Sequence, residues 1–246
     1  MKKRKDVYPF EVNAWAIPAP VSRRGALIAD LHGQDPGPVL TALRAAAPEL
    51  IFVAGDLLEC RKSRGRAHAA EKNENAYAFL MGAAALAPTF YAPGNHEAAL
   101  GDAERRRIGQ TGAILLENRA VASQGFLIGG ITSRPDREFL ERFSRMIGYK
   151  ILLCHHPEYY ESLLRPLDIQ LILAGHAHGG QFRARGRGIY APGQGILPPY
   201  TGGFYQGRLL VSRGLANNLC LPRINNKKEL LILHFGPDQG KAASFQ

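Results

Sequence analysis

Short apolar runs, each ending in glycine or polar residues, recur along the chain. Continuous runs of this length, rich in Ile, Leu and Val, are typical of strands that are buried on both faces of a sheet. The predicted strands are GALIAD (25–30), LIFVAGD (50–56), TFYAPGN (89–95), GFLIGG (125–130), KILLCHH (150–156), IQLILAGH (169–176), RLLVSRGL (208–215) and ELLILHF (229–235).

Stretches with helical character lie between several of these runs. PGPVLTALRAAA (36–47) has Pro near its start, AHAAEKNENAYAFLMGAAALA (67–87) is rich in Ala, and RPDREFLERFSRMIG (134–148) ends at a Gly stop signal. Strands that alternate with helices indicate a layered α/β domain. Neither a repeat nor a linker divides the chain, so we expect one domain over residues 25–246 after a basic N-terminal segment and lead-in over 1–24.

The region 182–208 departs from this alternation. Its sequence, FRARGRGIYAPGQGILPPYTGGFYQGR, is crowded with Gly, Pro, Arg and Tyr and has little periodicity. This composition predicts a long, structured loop. Loops of this length in compact domains are usually functional or disordered, and the aromatic content favours a functional one.

The composition is that of a globular chain with a basic surplus. Of the 246 residues, 46% are hydrophobic, and the length suffices for a substantial core. The formal charge of +10 favours anionic partners such as phosphates, nucleic acid or an acidic membrane surface. A positive surface also aids solubility, so the charge alone does not choose among them.

The cysteines and the N-terminus predict a cytoplasmic protein. Cys60, Cys154 and Cys220 are odd in number and lack C-x-x-C spacing, so we expect reduced and mostly buried thiols. The start, MKKRKDVYPF, is basic but no apolar segment follows it, which argues against a signal peptide. No run approaches about 18 apolar residues, so we expect no transmembrane helix. The basic start is compatible with peripheral contact with an anionic membrane.

Polar residues with metal-binding chemistry follow the apolar runs. They are Asp30 and His32 after the first run, Asp56 after the second, Asn95, His96 and Glu97 after the third, His155 and His156 after the fifth, and His176 and His178 after the sixth. In open α/β sheets, ligands bind at the carboxyl ends of the strands. Carboxylates, an amide oxygen and imidazoles suit a pair of divalent transition-metal ions rather than a thiolate zinc site. A single D-x-H motif is weak evidence for a metal site. Chance occurrence of the whole set, in this order and with each element after an apolar run, is improbable.

The motifs DLH, GD, GNHE, HHP and GHAH, in this order, resemble those of the calcineurin-like metallophosphoesterase superfamily. The stretches GHAHGGQ, GFYQGRLLVSRGL and LPRINNKKELLIL resemble a bacterial branch of phosphodiesterases similar to YkuE and YaeI. The resemblance implies a four-layer α/β/β/α sandwich of two mixed β-sheets flanked by helices. That branch often carries an N-terminal membrane anchor or export signal, and we expect neither here.

The resemblance also implies a ligand for each metal. Asp30, His32 and His178 would hold one ion, and Asn95, His155 and His176 would hold the other. Asp56 would bridge the two ions, since a carboxylate can give one oxygen to each. The ions would be manganese, zinc or iron, and this ligand set does not distinguish among the three. His156 would then lie behind the ligands or on the substrate side.

Hydrolysis of a phosphodiester or phosphomonoester by a metal-bridging hydroxide follows from this resemblance. His96 would act as a general acid or stabilise charge on the leaving oxygen, and Asn95 would also donate from its amide to a phosphate oxygen. Glu97 either orients an imidazole or favours a helix N-terminus by its charge.

The substrate is open at this point. Arg183, Arg185 and Arg187 would either meet a second phosphate or an acidic head group or form a solvated basic loop. The aromatic residues of the same region would line a wall for a lipid or base, or pack the loop down. We expect a small or lipid-linked phosphoester and no obligate protein partner. A nuclease is the alternative that the charge suits, and a non-enzymatic scaffold is disfavoured because every expected ligand is present.

Overall fold

The computed structural model describes residues 8–60, 66–217 and 222–237. The strands are β1 (Glu11–Pro18), β2 (Arg23–Ile28), β3 (Leu50–Ala54), β4 (Thr89–Ala92), β5 (Ile114–Leu115), β6 (Arg119–Ser123), β7 (Phe126–Ile131), β8 (Tyr149–Cys154), β9 (Leu171–Ala174), β10 (Arg183–Ala184), β11 (Arg187–Gly188), β12 (Tyr190–Ala191), β13 (Gly195–Ile196), β14 (Gly203–Tyr205), β15 (Leu209–Val211) and β16 (Glu229–Gly236). The helices are α1 (Gly37–Ala46), α2 (Arg66–Ala84), α3 (Asp102–Gln110) and α4 (Arg137–Arg145), with short helical turns at Tyr160–Leu164 and His178–Gly180.

Two six-stranded sheets carry the fold. The first sheet has the order β1-β16-β2-β3-β4-β5, and the second has the order β14-β15-β9-β8-β7-β6. In the first sheet only β16 and β2 pair antiparallel, whereas in the second sheet the outer pairs β14–β15 and β6–β7 are antiparallel. Both sheets are therefore mixed, as the resemblance implies.

Alternate side chains of the strands face different layers. In β3, Phe52 packs between the sheets against Phe90 and Phe126, while Ile51 and Val53 face the opposite side. This opposite side is covered by α1 and α2, whose buried residues include Leu43 and Phe79. The outer face of the second sheet is covered by α4 and by the turn at 160–164, through Phe139, Phe143 and Tyr160. The period-two alternation of strands thus produces the expected four layers.

A local sequence signal fixes the start of α4, the helix with the clearest apolar stripe. Asp136 precedes its first turn and accepts hydrogen bonds from the backbone N–H groups of Glu138 (2.9 Å) and Phe139 (3.2 Å). Such an N-cap satisfies donors that have no partner within the helix. Phe139, Leu140 and Phe143 then bury one face of the helix against the second sheet.

Each predicted strand and helix is present, and the structure adds elements that the apolar pattern does not reveal. Strand β1 lies within the predicted lead-in and pairs with β16 over its whole length as an edge strand. Its residues are mostly half-buried, so no continuous apolar run marks it. Helix α3 buries only Ile108, which leaves no apolar stripe in its sequence. The region 182–208 folds into short hairpins, β10–β11 and β12–β13, followed by β14.

Three further expectations concern the basic N-terminus, the cysteines and membrane-spanning helices. The basic cluster of residues 2–5 and Cys220 lie outside them. Cys154 is buried and Cys60 half-buried, and both are free thiols. None of the helices in the described ranges combines the length and the apolar character that a membrane-spanning helix needs.

Candidate metal centre

The predicted ligands converge where the strands of both sheets end. Asp30 and His32 follow β2, Asp56 follows β3, Asn95 follows β4, His155 follows β8, and His176 and His178 follow β9. Ligand atoms of Asp30, His32 and His178 lie within 4.8 Å of one another, and so do those of Asp56, His155 and His176. Each of these two groups takes residues from both sheets. The metal centre, as we call these seven residues, therefore lies between the two sheets at their common edge.

Asp56 lies between the two groups. Its Oδ2 is 3.3 Å from Nε2 of His155 and 3.7 Å from Nε2 of His32. Oδ1 of Asp30 lies 4.0 Å from Nε2 of His155 and 3.7 Å from Nε2 of His178. Asn95 completes the second group, with its Oδ1 3.2 Å from Nε2 of His155. The spacing is the one expected if a single carboxylate serves two neighbouring ions.

Most of these ligands have left-handed backbone conformations. The φ angles are +54° at Asp30, +49° at His32, +52° at Asp56, +66° at His176 and +46° at His178. Non-glycine residues rarely adopt this region, and each such residue costs on the order of 1 kcal/mol or more. The surrounding backbone holds two of them in place, because the N–H groups of Asp30 and His32 donate to the carbonyls of Gly55 (3.1 Å) and Asp56 (3.0 Å). Strain of this kind is a mark of functional sites.

Two glycines allow the carboxylates to approach the backbone. A Cβ on Gly94 would collide with Oδ1 of Asp56, and a Cβ on Gly214 would lie 2.7 Å from Oδ2 of Asp30. Gly214 also has a φ of +73°, a conformation that disfavours other residues. No local sequence signal marks the contact of Gly214 with Asp30, because the two residues are far apart in the chain.

Hydrogen bonds behind the imidazoles aim their Nε2 atoms into the centre. His155 donates from Nδ1 to the carbonyl of Ala54 (2.8 Å), which leaves Nε2 facing Asp56. A bond of this kind, in which the outer ring N–H donates, fixes the orientation of a histidine ligand in a metal site. At His178, Nη2 of Arg223 lies 3.1 Å from Nδ1 while Nε2 faces Asp30. A guanidinium donor at Nδ1 places the proton of the neutral ring on Nε2, so an ion bound at Nε2 requires that proton to leave and the contact with Arg223 to change. Arg223 is a supporting residue that the sequence pattern does not indicate.

Burial and neighbouring charges shift the pKa values of the ligands. Burial lowers the pKa of His176 to about 2 and that of His178 to about 4, which keeps both imidazoles neutral. Burial alone would lower the pKa of His155, but the charge of Asp56 raises it to about 10. Burial alone would raise the pKa of Asp56, yet His155 and its neighbours lower it well below its usual range. A divalent ion would take the place of the proton on His155, because metal ligation needs the neutral ring.

Glu97 joins the loops after β3 and β4. Its carboxylate accepts the backbone N–H groups of Leu57 (2.6 Å), Leu58 (2.6 Å), Gly94 (2.7 Å) and Asp56 (3.1 Å). Glu97 therefore neither orients an imidazole nor lies at the start of a helix, and the structure differs here from both sequence-based alternatives. Its role is to hold the loop of Asp56 against the loop of Asn95 and His96.

Glu59 supports two imidazoles of the site and was not among the predicted residues. His32 donates from Nδ1 to Oε1 of Glu59 (3.1 Å), and His96 donates from Nδ1 to Oε2 (2.8 Å). Burial alone would raise the pKa of Glu59, but the two imidazoles lower it strongly. Burial alone would lower the pKa of His96, but the bond to Glu59 and the charge of Asp56 raise it. No motif marks Glu59, since it follows Asp56 in a stretch that is otherwise apolar, GDLLEC.

His156 lies on the second sheet's side of the centre, behind His176. It donates from Nδ1 to Oε1 of Glu158 (2.9 Å) and accepts at Nε2 from the hydroxyl of Ser133 (2.9 Å). Its ring centroid is 4.4 Å from that of His176. Glu158 also lies 3.7 Å from Nε2 of His176, so the three side chains form a further group with metal-binding chemistry.

The three predicted arginines lie on the hairpin β10–β11 with different surroundings. Arg183 donates from Nη1 to the carbonyl of Gly179 (3.0 Å) and from Nη2 to that of Gly186, so it holds the hairpin to the corner after His178. Arg185 and Arg187 are exposed. Whether any of the three binds substrate stays a prediction.

The aromatic residues of the same region divide in a similar way. Tyr200 is buried, and its ring lies 5.6 Å from that of Tyr160 and 5.0 Å from that of Tyr205, so these rings pack the loop down. Phe204 is half-buried against Trp15 at 6.0 Å. Tyr190 is exposed.

The chemistry of the donors fits divalent ions. Asp56 belongs to one group of carboxylate and imidazole ligands and lies 3.7 Å from His32 of the other, and most of these residues have strained backbone conformations. The outer ring nitrogens of His155 and His32 donate to a carbonyl and to a carboxylate. No cysteine sulfur takes part in any of the metal-binding groups among the described residues. The donors match ions such as manganese, zinc or iron rather than a thiolate site.

Comparison with known proteins identifies the family of the chain. The sequence profile of the family described as Calcineurin-like phosphoesterase matches residues 24–180, which include all the metal-centre residues. A Bacillus subtilis (strain 168) protein described as uncharacterized protein YpbG is 27% identical over 225 residues, covering 86% of this chain and 80% of that protein. The crystal structure of Pseudomonas putida nuclease MPE is similar over 80% of this chain and 81% of that chain, with 16% sequence identity and a TM-score of 0.34. The chain therefore belongs to the calcineurin-like phosphoesterase family.

Proposed function

We propose that the protein hydrolyses a phosphodiester, or a phosphomonoester, with two divalent ions held in the metal centre and water as the nucleophile. The observation that carries this proposal is the position of Asp56, whose carboxylate lies between two groups of ligands. One group is Asp30, His32 and His178, and the other is Asn95, His155 and His176. Bound divalent ions would lower the pKa of water and offset the negative charge of the phosphate oxygens.

His96 is the candidate general acid. Its Nδ1 is engaged by Glu59, so its Nε2 is the atom that faces the centre, 3.7 Å from Oδ2 of Asp56. The raised pKa favours the protonated ring. When the bond between phosphorus and the leaving oxygen breaks, this ring gives its proton to that oxygen, a role typically worth about 10²–10⁴-fold in rate.

Asn95 has two chemically different ends. Its carbonyl oxygen faces His155 in the second group of ligands. Its NH₂ group would donate to a phosphate oxygen of the substrate. Positioning of this kind fixes the phosphate relative to the attacking water.

The proposal is tested by metal analysis of the purified full chain together with assays on p-nitrophenyl monoesters and diesters. We expect bound divalent ions, and turnover that a chelator abolishes and added Mn²⁺ restores. Asp56→Asn is expected to lose metal and activity together. Absence of bound metal, combined with no turnover after Mn²⁺ is added, would contradict the proposal.

A nuclease is the second candidate, because the charge of +10 and the exposed Arg185 and Arg187 suit a polyanion. Binding to a random single-stranded oligonucleotide separates the two candidates. Several phosphate contacts would give a steep decrease of affinity with salt, with a logarithmic slope of about −0.7 per contact. For the leading proposal we expect weak oligonucleotide binding and no cleavage of the strand.

A further inference from the structure

A short hairpin beside the metal centre exposes four apolar side chains. The apolar hairpin, residues 189–197, contains β12, β13 and the turn between them. Tyr190 pairs with Ile196, and the N–H of Leu197 donates to the carbonyl of Ile189 (2.8 Å). The exposed fractions are 40% for Ile189, 37% for Tyr190, 78% for Ile196 and 76% for Leu197. Tyr190 and Ile196 are cross-strand partners and share one face of the ribbon, and Ile189 and Leu197 are exposed next to them where the strands end.

The turn of the apolar hairpin is anchored to the metal centre. Ala191 is fully buried, and Gln194 donates to the carbonyl of Tyr200 (2.7 Å) and accepts from its N–H (3.0 Å). A Cβ on Gly193 would collide with Glu158 and would lie 3.2 Å from Nε2 of His176. The turn of the apolar hairpin therefore lies next to a predicted metal ligand. A surface that binds the exposed residues of this hairpin would be close to the metal centre.

Positive charge lies beside the exposed apolar pairs. The hairpin β10–β11 directly precedes the apolar hairpin, and the two are joined by the N–H of Ile189, which donates to the carbonyl of Phe182 (2.8 Å). Arg185 lies at the tip of β10–β11 and is exposed, as is Arg187. Arginine side chains next to exposed Ile, Leu and Tyr match a surface that has phosphate head groups above an apolar interior.

The exposed apolar side chains and the exposed arginines lie together on the two joined hairpins. An anionic membrane covers both kinds of side chain at once, because its phosphate groups meet the arginines and its acyl chains meet the aliphatic side chains. Nucleic acid would meet the arginines but would leave the aliphatic side chains uncovered.

We propose that the apolar hairpin, together with Arg185 and Arg187, binds the surface of an anionic membrane. Ile196 and Leu197 enter the boundary between head groups and acyl chains, and the two guanidinium groups meet lipid phosphates. A lipid-linked phosphoester in that surface would then reach the metal centre, and this second consequence alone rests on the proposed function.

The test is co-sedimentation of the full chain with phospholipid vesicles. Vesicles of phosphatidylcholine mixed with phosphatidylglycerol are compared with vesicles of phosphatidylcholine alone. We expect the double variant Ile196→Ser, Leu197→Ser to weaken binding to the anionic vesicles by about tenfold or more, since two apolar side chains no longer insert. The net charge is unchanged, so non-specific electrostatic binding remains equal. The matched control is Ile147→Ser. Ile147 is 98% exposed and lies just before β8, at the sheet edge opposite the metal centre. We expect this variant to bind vesicles as the wild type does.

The arginines are tested in the same assay. Arg185→Gln and Arg187→Gln are each expected to weaken binding to anionic vesicles by about fivefold and to leave binding to neutral vesicles unchanged. The control is Arg106→Gln, an exposed arginine of α3. Equal losses for Arg106 and for the hairpin arginines would overturn the assignment of charge to this surface.

A second variant keeps the proposal testable if the serine variant is unstable. Ile196→Trp adds an indole at the exposed position, and we expect its fluorescence emission to shift to shorter wavelength when anionic vesicles are added. An unchanged emission, vesicle binding that the double serine variant does not weaken, or a change only in self-association or oligonucleotide binding would overturn the proposal. Asp56→Asn is expected to lose hydrolysis and keep vesicle binding, which separates failure of this inference from failure of the proposed function.

Discussion

The two sheets contribute unlike walls to the metal centre. On the side of the first sheet, Glu59 and Glu97 are nearly inaccessible and bind two imidazoles and four backbone N–H groups between them. On the side of the second sheet, Glu158 is 21% exposed, and its Oε2 has no hydrogen-bond partner among the described residues. Glu158 also lies against Gly193 of the apolar hairpin. Hydrogen bonds fix both carboxylates of the first wall, the preorganisation that electrostatic catalysis requires, whereas Glu158 on the second wall is held by its bond to His156 and keeps one oxygen without a partner in the described part of the chain.

The largest effect in this comparison is expected for the proton donor on the first wall. With a diester that has a poor leaving group, His96→Asn is expected to decrease kcat by about 10²–10⁴-fold. With a p-nitrophenyl ester the loss is expected to be much smaller, since that leaving group departs without a proton. Steady-state kinetics on the two substrates measure the difference, and equal losses on both would show that His96 does not act as the acid.

Glu97 is expected to act on stability and metal retention more than on proton transfer. Glu97→Gln replaces one oxygen that accepts backbone N–H groups with an NH₂ group, which leaves buried donors unsatisfied. We expect the free energy of unfolding to decrease by about 2–4 kcal/mol, measured by chemical denaturation. Glu141→Gln, an exposed glutamate on α4 near Arg145 (3.8 Å), is the control and should change the free energy by less than about 1 kcal/mol. Equal effects would remove Glu97 from the support of the centre.

Glu59 is expected to act through His96 and His32. Glu59→Gln should decrease kcat by about 10–100-fold, the range found for residues behind metal ligands. Since Glu59 raises the pKa of His96, its loss lowers that pKa, and the protonated ring then persists only to a lower pH. The alkaline limb of the rate profile is therefore expected to move to lower pH. A decrease in rate with an unmoved limb would mean that Glu59 supports the fold and not the acid.

The smallest effect is expected on the second wall. Glu158→Gln keeps the shape of the side chain and changes its charge, so the metal centre should remain assembled. We expect KM to rise several-fold with kcat within about twofold of the wild type, the pattern of lost uniform binding. A large decrease in kcat without a change in KM would make the two walls equivalent and would contradict the contrast between them.

Residues that directly follow buried strands could be predicted from the sequence. The convergence of the candidate ligands could be predicted because parallel strands end at a common edge, so residues directly after apolar runs come together. Asp30, Asp56 and His155 all follow this rule. The layered fold was accessible for the same reason, since buried strands leave continuous apolar runs. The assignment of the ligands to individual ions came from the resemblance to a known family and stays a prediction.

The supporting residues could not be predicted in this way. Arg223 contacts His178 across 45 positions of sequence and follows no apolar run, and Ser133 reaches His156 across 23 positions. Contacts of this kind depend on where loops pack, which no local pattern encodes. Strand β1 escaped detection because an edge strand buries too little to show an apolar run. The apolar hairpin escaped because its alternation spans only a few residues within a segment rich in Gly and Pro.

The central claim is that His176 and His178, two positions apart in sequence, serve different ions. The most direct test is the number of metal ions per chain, measured by elemental analysis of purified protein after Mn²⁺ loading and gel filtration. We expect two ions per chain in the wild type, about one in His176→Ala and about one in His178→Ala, with neither ion retained tightly in Asp56→Asn. A single ion in the wild type, or loss of both ions in each histidine variant while the fold is retained, would contradict the account.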